Sequence, residues 1–362
     1  MSGTVTVYDV AAHAGVSIAT VSRVLRRPDD VRESTRERVR ASVSALGYVP
    51  SAAARGLAAR RTGVLGLYLP GFDAIDDLPE MSVGSEGGVS VVDDRMPQER
   101  PRLDGLYFDN VLRGAELEAW RRDFVLMVGV GRGHSSVEAV RDMAGRVDGL
   151  LVPGQAVPDD LLRQLWRRIP IVLLAATPAE DEYDHVSVSN TEGMQALTRH
   201  LIENRGVRRL LYVAGPEDSP DDAERHAGFR AAVENADVLV DPLIRGGFTR
   251  ASGREVGERL VAAGDLPRAI VCGNDQMALG VLSVLAEAGF AVPDDVIVTG
   301  FDGIDASATS TPPLTTVRQP MVSVGRAAIR LMQRRLDNPD AEPLSERLPV
   351  DVLLRESSEG PA

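Results

Sequence analysis

The chain has 362 residues, enough for more than one folded domain, and a net charge of −13. The charge is unevenly distributed: residues 1–61 hold ten Arg and five acidic residues, a net charge of +5, so the remainder carries −18. A basic N-terminal segment can displace counterions from nucleic-acid phosphates, and an acidic remainder limits unspecific adhesion. The single cysteine, Cys272, excludes a disulfide framework and suits a reducing cytoplasm.

Several classes of protein are disfavoured at once. No N-terminal apolar stretch has the form of a signal peptide and no apolar run is long enough to span a membrane, so we expect a cytoplasmic protein. Residues 129–133 are glycine-rich but lack the GxGxxG spacing of a dinucleotide site. The five His and one Cys show no metal-ligand spacing, and no serine nucleophile elbow is present. We expect neither an enzyme nor a metal or cofactor.

Residues 5–25 predict a helix-turn-helix. An alanine-rich helix over 7–14 stops at Gly15, which tolerates the positive φ of a tight turn. Ser17 stands where an N-cap belongs and starts a second helix. That helix has an apolar stripe for packing on the first helix and a small, partly basic outer face. The stripe is Val21, Val24 and Leu25, and the outer face is Ile18, Ala19, Ser22 and Arg23. Such a pair is typical of DNA-reading domains, although short amphipathic helix pairs are common in other proteins too.

Two further helices are predicted after this pair. Apolar residues at positions 39, 43 and 46 predict a third helix over 35–46, which completes a small core. Pro50 ends this structure, and Ser51 can cap a helix over 51–60. Ten residues that include Gly56 are too few to sustain an isolated helix in water.

From residue 64 onward, short apolar runs alternate with helical stretches, as in parallel α/β folds. The predicted strands are 64–69, 124–130, 149–152, 171–174, 210–214, 269–272 and 296–299. The predicted helices are 110–121, 193–204, 223–235, 252–263 and 275–288. The order predicts two α/β halves in tandem, with a ligand cleft at the carboxyl ends of their strands.

The ordered series of motifs resembles the lactose-repressor (LacI/GalR) family of bacterial transcription regulators. Its headpiece motif is joined by five body segments in family order: 147–152, 214–216 with 225–229, 273–280, 300–302 and 311–320. The resemblance implies an α/β protein, with a helix-turn-helix headpiece and a periplasmic-binding-protein-like effector domain of two α/β subdomains.

The resemblance also implies a division of the chain. The headpiece would span 1–50, the hinge helix 51–61, and the effector-binding and dimerisation domain 62–357. Within that domain, the first subdomain would combine 62–189 with 321–348, and the second 190–320 with 349–357.

The resemblance places operator choice mainly at Ile18 and Ala19. Ile18 can touch a thymine methyl, and Arg23 can pair with guanine O6 and N7 or instead contact a phosphate. The predicted DNA contacts are Thr6, Tyr8, Ser17, Ile18, Ala19, Thr20, Ser22, Arg23, Arg26, Ser51, Ala54 and Leu57. In the family, the hinge helix folds when two copies meet over the minor groove, where Leu57 would act as a wedge between base pairs beside Ala54. A flexible linker with an incidental leucine is the alternative.

In the cleft, Arg225, Asn274 and Asp302 match the sugar-hydroxyl partners of the family, and their chemistry suits a polyol. The alternative for Asn274 and Asp302 is capping of strand ends and loops. Phe248 matches an aromatic that stacks on the ligand, with a core position as its alternative, and Gln319 matches a residue at the cleft edge. The first half fits less well, because residues 175–178 lack the polar side chain of some relatives.

Residues 71–105 depart from the family pattern. They contain nine acidic residues, three Arg and many Gly and Pro, so they can bury little apolar surface. We expect a mobile acidic insertion, with a lid over the cleft as the alternative.

The sequence therefore predicts a homodimeric repressor of carbohydrate uptake or catabolism genes. It would bind a near-palindromic DNA operator, and a small sugar-like effector would control that binding. Whether the effector weakens or strengthens DNA binding stays open. A ligand-activated activator and a sugar-binding transport-type protein are the alternatives. Residues 351–357 carry no leucine heptad, which favours a dimer over a coiled-coil tetramer.

Overall fold

The computed structural model describes residues 5–26, 28–48, 61–70, 106–131, 136–154, 156–175 and 183–360. The chain forms two compact units, residues 1–63 and 64–362. The predicted hinge helix, 51–60, and the predicted acidic insertion, 71–105, lie outside the described residues.

In its described residues, the N-terminal unit consists of α1 (Val7–Ala14), α2 (Ile18–Arg26), a 3₁₀ turn (Pro28–Asp30) and α3 (Glu33–Leu46). α1 ends at Gly15, whose φ of 64° lies in the left-handed region that glycine adopts without strain. α2 begins after Ser17, whose Oγ accepts a hydrogen bond from the Thr20 N–H at 3.2 Å. Both predicted helix signals are confirmed.

The three helices enclose a small apolar core in which Val10, Val21 and Val39 are fully buried. Leu25, predicted to belong to the packing stripe, is 39% exposed, so that prediction is wrong for this residue. It flanks the packed face of α2, whereas Val21 and Val24 lie one helical turn apart at its centre.

The C-terminal unit alternates strands and helices. In chain order, the first half contains β1 (Val64–Pro70), α4 (Leu106–Arg121), β2 (Val125–Gly131), α5 (Ser136–Ala144), β3 (Gly149–Pro153), α6 (Asp159–Trp166), β4 (Ile171–Leu174) and β5 (Asp184–Val188). The second half follows with α7 (Asn190–Glu203), β6 (Arg209–Ala214), α8 (Pro220–Val233), β7 (Leu239–Val240), β8 (Ile244–Arg245), α9 (Arg250–Ala263), β9 (Ala269–Cys272), α10 (Asp275–Glu287), β10 (Ile297–Asp302), α11 (Asp305–Ala308) and β11 (Thr315–Arg318). The chain ends with α12 (Met321–Asp337), β12 (Ser345–Leu348), β13 (Asp351–Leu353) and α13 (Glu356–Glu359).

The strands form two sheets. The first has the order β12-β5-β4-β3-β1-β2 and is parallel throughout. The second has the order β13-β11-β10-β9-β6-β7, with β8 also paired to β6, and only β13 runs antiparallel to its neighbour. The carboxyl ends of the parallel strands in each sheet therefore share one edge, which is where α/β folds place ligands.

Three short crossings connect the two halves of the C-terminal unit. The chain passes from β5 to α7 at Ser189, returns from β11 to α12, and passes again from β12 to β13. α12 packs across α4 so closely that Gly114 faces the backbone of Val322 and Gly325 faces the backbone of Val111. A side chain at either glycine would collide with the facing backbone, which fixes how these two helices cross.

Apolar layers cover both faces of the first sheet. Leu151 belongs to one buried cluster and its neighbours Leu150 and Val152 belong to another, because successive strand residues point to opposite faces. Strands β3, β4 and β5 are buried at every position. This double-sided burial is what a parallel sheet between helical layers requires, and it confirms the predicted α/β class.

All twelve strands and helices predicted from residue 64 onward are present, with ends that differ by no more than four residues. The prediction did not include the strands β5, β7, β8, β11, β12 and β13 or the helices α5, α6, α11, α12 and α13. No helix among the described residues is long and apolar enough to span a membrane.

Candidate functional site

The exposed side of α2 carries most of the headpiece residues predicted to contact DNA. We call this surface the reading face; it consists of Ser17, Ile18, Ala19, Ser22 and Arg23. Ile18, Ala19 and Arg23 are exposed, and Ser22 is half-buried. Within residues 5–26 and 28–48, Arg23 has neither an ion-pair nor a hydrogen-bond partner, so its guanidinium is available to a ligand.

The other residues predicted to contact DNA lie outside the reading face. Thr6 donates from its N–H and its Oγ1 to Asp9 Oδ2, at 2.8 and 2.7 Å, which closes the start of α1. Tyr8 is 68% exposed, and Thr20 shares a hydrogen bond with Ser17 at 2.9 Å between the two hydroxyl oxygens. Arg26 is the last residue of α2. Ser51, Ala54 and Leu57 lie outside the described residues.

A cavity of about 290 Å³ lies between the two halves of the C-terminal unit. Its first wall is apolar and aromatic; its described residues are Tyr107, Phe108, Val111, Pro153, Gly154, Ala156, Leu174 and Ala175. Its second wall carries the charged groups; its described residues are Pro216, Asp218, Ser219, Pro220, Asp221, Arg225, Gly247, Phe248, Thr249, Asn274, Gln276, Asp302 and Ile304. Four of the five predicted effector residues line the cavity, namely Arg225, Phe248, Asn274 and Asp302.

Arg225 occupies the centre of the second wall and is only 3% exposed. Its Nε donates to Asn190 Oδ1 at 2.9 Å and its Nη1 donates to the Gly273 carbonyl at 2.8 Å. The same Nη1 lies 3.4 Å from Asp302 Oδ1, and the guanidinium carbon lies 4.0 Å from the centre of the Phe301 ring. These contacts fix the orientation of the guanidinium through its Nε and Nη1.

Asp302 is the last residue of β10 and has a φ of 122°, a backbone conformation that residues other than glycine rarely adopt. Its Oδ1 accepts from Gln319 Nε2 at 2.7 Å. Burial raises the pKa of Asp302 to about 6, against the stabilisation of its charge by Arg225 and Gln319. Gln319 is not among the described residues that line the cavity, and its contact with this wall is the hydrogen bond to Asp302.

Asp275 lies behind this wall and is fully buried. Its Oδ2 accepts from the N–H groups of Gly303 and Ile304 at 2.8 and 3.0 Å, and its Oδ1 accepts from Thr316 Oγ1 at 2.5 Å. Burial and the charge of Asp302 raise the pKa of Asp275 to about 8. Asp275 thereby holds the loop that follows Asp302.

Asn274 uses its amide mainly within the protein. Its Oδ1 accepts from the Met277 N–H at 3.0 Å as the N-cap of α10, and its Nδ2 donates to the Phe248 carbonyl at 2.9 Å. Phe248 has a φ of 61°, packs partly against the apolar core and touches Gly215. Asn274 therefore caps a helix and also lines the cavity, and Phe248 packs against the core and also lines the cavity.

Several residues of this site are not among the predicted effector residues. Asp221, one helical turn before Arg225, lines the cavity, and its Oδ1 accepts from Asn190 Nδ2 at 2.8 Å. Burial raises the pKa of Asp221 above its ordinary value. Tyr107 supplies the hydroxyl of the otherwise apolar first wall. The i, i+4 spacing of Asp221 and Arg225 was the available signal for Asp221, and Asn190 stands where many members of the family have Asn, whereas nothing local marked Tyr107.

Protein-family comparison finds two matches. Residues 6–51 match the family of bacterial regulatory proteins, lacI family, and residues 198–358 match a periplasmic binding protein-like domain. The first match covers the helix-turn-helix, and the second covers most of the second half together with the return through α12 and β12.

Curated relatives match over nearly the whole chain. One is the HTH-type transcriptional repressor PurR of Escherichia coli O1:K1 / APEC, 31% identical over 369 residues, with 98% of each chain covered. Another is the HTH-type transcriptional repressor PurR of Vibrio atlanticus, 30% identical over 344 residues, with 93% of each chain covered.

Solved structures agree with these matches. A transcriptional regulator CelR–cellobiose complex is 29% identical with a TM-score of 0.69, covering 98% of this chain and 99% of the other. The lac repressor dimer bound to operator and the anti-inducer ONPF has a TM-score of 0.77 at 24% identity, with the same coverage, and shows the shared fold.

The fold and the two sites define a helix-turn-helix regulator with a two-lobed ligand-binding body. The chain belongs to the LacI family of bacterial regulatory proteins. It is accordingly a DNA-binding transcriptional repressor, in a family of regulators rather than enzymes.

Proposed function

We propose that the chain is a homodimeric repressor whose affinity for a near-palindromic operator is set by a small sugar-like effector in the cavity. The observation that carries this proposal is the placement of Arg225, Asn274 and Asp302 on one wall, opposite the aromatic side chains Tyr107 and Phe108. Carboxylate, amide and guanidinium groups match hydroxyls, and aromatic faces suit the apolar face of a sugar ring. The cellobiose complex of a relative agrees with this class of ligand.

On the DNA side, we propose that each reading face enters the major groove of one half-site. Ile18 would touch a thymine methyl, Ala19 is too short to hydrogen-bond, and Arg23 would pair with a guanine. The hydroxyl groups nearby would set the register on the phosphates, namely Thr6, Tyr8, Ser17, Thr20 and Ser22. Two-fold symmetry of the dimer would match the symmetry of the operator. A protein that binds chromosomal DNA would act in the cytoplasm.

The link between the two sites would run through the predicted division of the chain. An effector bound between the subdomains, 62–189 with 321–348 and 190–320 with 349–357, would change their relative angle. The hinge over 51–61 would respond to that change, and only different affinities of the effector for the two states can drive the switch.

The test is selection of bound sequences from random DNA duplexes, repeated with sugars and nucleobases present. We expect a symmetric motif, and release or strengthening of binding by one sugar. Recovery of no symmetric motif contradicts the operator model. A response to nucleobases alone contradicts the sugar class, since planar bases could stack on the same aromatic wall.

The hinge has a separate test. If Leu57 wedges between base pairs, Leu57→Ala weakens operator binding and removes most of the DNA bend. A bend-sensitive gel-shift assay measures both quantities. An unchanged bend together with unchanged affinity shows that Leu57 belongs to a plain linker.

A further inference from the structure

The described residues of the cavity wall are acidic on balance. Asp218, Asp221 and Asp302 face the cavity together with a single cation, Arg225. With the three carboxyl groups ionised, this part of the wall carries a net charge of −2. The charge of Arg225 is shared between two of the carboxylates, because Asp302 Oδ1 lies 3.4 Å from its Nη1 and Asp221 Oδ2 lies 4.0 Å from its Nη2. Little of the positive charge is therefore left to attract an anionic ligand.

The wall also offers more acceptors than donors. Asp221 Oδ1 and Asp302 Oδ1 accept from Asn190 and Gln319, but no described residue donates a hydrogen bond to the Oδ2 of either carboxylate. Several donors around them point into the protein: Arg225 donates from Nε to Asn190 and from Nη1 to a carbonyl, and Asn274 donates to the Phe248 carbonyl, whereas Arg225 Nη2 lies 4.0 Å from Asp221 Oδ2. A ligand that fills this space has to supply donors of its own.

A separate observation also indicates that this wall can bind a polar group. The Gln276 side chain is 5% exposed, lines the cavity, and makes no hydrogen bond to any described residue. Its buried Oε1 has no hydrogen-bond partner in the described part of the chain. Buried amides normally make hydrogen bonds. The Gln276 amide on the cavity wall can therefore form its hydrogen bonds with a polar ligand.

The opposite wall adds no compensating positive charge. Its described residues are apolar apart from the Tyr107 hydroxyl. Burial and the charges of Asp221 and Asp302 raise the pKa of Tyr107 well above its ordinary value. That hydroxyl stays neutral, and the aromatic faces of Tyr107 and Phe108 can contact a sugar ring or an ammonium group.

We propose that Asp221 and Asp302 restrict the effector to a neutral or amine-bearing polyol and exclude phosphorylated and carboxylated sugars. The inference rests on the proposed function, because it names the ligand class of the same cavity. Hydroxyl and ammonium donors form strong charge-assisted hydrogen bonds to a carboxylate. A phosphate or carboxylate would face two like charges where little water screens them.

The experiment uses the full-length chain and ligands matched by skeleton. For glucose, galactose and mannose, the neutral sugar, its 2-amino derivative, its 6-phosphate and its uronic acid are titrated by calorimetry. At least one neutral or amino member is expected to bind, with its phosphate and acid counterparts weaker by about tenfold or more, a difference of about 1.4 kcal/mol. Equal or tighter binding of an anionic counterpart overturns the proposal. Binding of no neutral or amino sugar at concentrations on the order of 10 mM also overturns it.

Two variants test whether Asp221 causes the discrimination between neutral and anionic sugars. Asp221→Asn keeps the shape of the side chain and its acceptor for Asn190 but removes one charge, so the discrimination against the anionic sugars should shrink by about tenfold. The control is Glu217→Gln, which removes one exposed charge from the loop just before α8 at a residue that is not among those lining the cavity. It should leave the discrimination unchanged. Unchanged discrimination in Asp221→Asn shows that Asp221 does not select the ligand.

The outcomes separate this inference from the proposed function. A neutral sugar that binds without changing operator affinity contradicts the regulatory proposal and leaves the ligand class intact. A sugar phosphate that binds and changes operator affinity contradicts the ligand class and leaves the regulatory proposal intact.

Discussion

The reading face and the cavity are both polar sites, but they hold their polar groups in opposite ways. Arg23 ends in solvent and has no partner among the described residues of the headpiece. Arg225 is buried, donates to two oxygen atoms, stacks on an aromatic ring and lies near two carboxylates. The guanidinium of Arg23 is therefore solvated and unpaired, whereas that of Arg225 is part of the packed and hydrogen-bonded interior.

This difference predicts how function and stability are connected at each site. An exposed, unpaired side chain can be removed with little effect on the free energy of unfolding. Removal of a buried ion that neutralises other buried ions lowers the free energy of unfolding strongly, because the remaining buried charges are no longer neutralised. We therefore expect mutations to separate binding from stability on the reading face and to change both together in the cavity.

The largest effect is expected for Arg225→Leu. It leaves Asp302 and Asp221 without their cation and removes the donors to Asn190 and Gly273. The free energy of unfolding should fall by about 3–5 kcal/mol. Chemical denaturation followed by circular dichroism measures this fall, and calorimetry measures the accompanying loss of effector binding.

Arg230→Ala is the matched control for that variant. Arg230 lies on the same helix, α8, but is exposed. Its removal should change the free energy of unfolding by no more than about 0.5 kcal/mol. If the two variants lose equal stability, the contrast between buried and exposed cations is wrong.

The next effect is a dependence on pH. The folded-state pKa values of Asp275 and Asp302, about 8 and about 6, lie above those of an unfolded chain. The folded protein therefore binds more protons between about pH 4 and pH 8, and its stability should fall as the pH rises through that window. Melting temperatures recorded from pH 5 to pH 8 should decrease, and Asp275→Asn should flatten the trend. Exposed Asp294→Asn should leave the trend unchanged.

A smaller effect, confined to DNA binding, is expected for Arg23→Ala. If Arg23 pairs with guanine, affinity falls by about 1–3 kcal/mol and the preference at one base pair per half-site is lost. The free energy of unfolding should stay within about 0.5 kcal/mol of the wild type. A uniform loss over all sequences would instead make Arg23 a phosphate contact.

The same contrast explains how far the sequence predicts this molecule. The turn at Gly15, the cap at Ser17 and the alternation of strands and helices are local patterns, and the structure contains them. The four cavity residues Arg225, Phe248, Asn274 and Asp302 were found by their motifs. What these motifs could not show is that Asn274 caps α10 and donates to the Phe248 carbonyl, and that Gln319 donates a hydrogen bond to Asp302.

The missed features depend on partners far along the chain. β5 begins with Asp184, a carboxylate that disfavours a buried strand in any local reading. In the structure, Asp184 is fully buried because it accepts hydrogen bonds from Arg334, Arg335 and the Leu344 N–H. These partners lie about 150–160 residues further on, where no periodicity can indicate them.

The smallest effect concerns Ser17, which belongs to the reading face and also caps α2. Ser17→Ala removes the acceptor for the Thr20 N–H and should destabilise the headpiece by about 1 kcal/mol. Ser17→Asn retains a capping side chain and should restore the stability. If operator affinity returns together with stability in Ser17→Asn, Ser17 acts through the helix that it caps. If stability returns while affinity stays low, its hydroxyl contacts DNA directly, and one residue of the reading face combines structure and recognition as the cavity residues do.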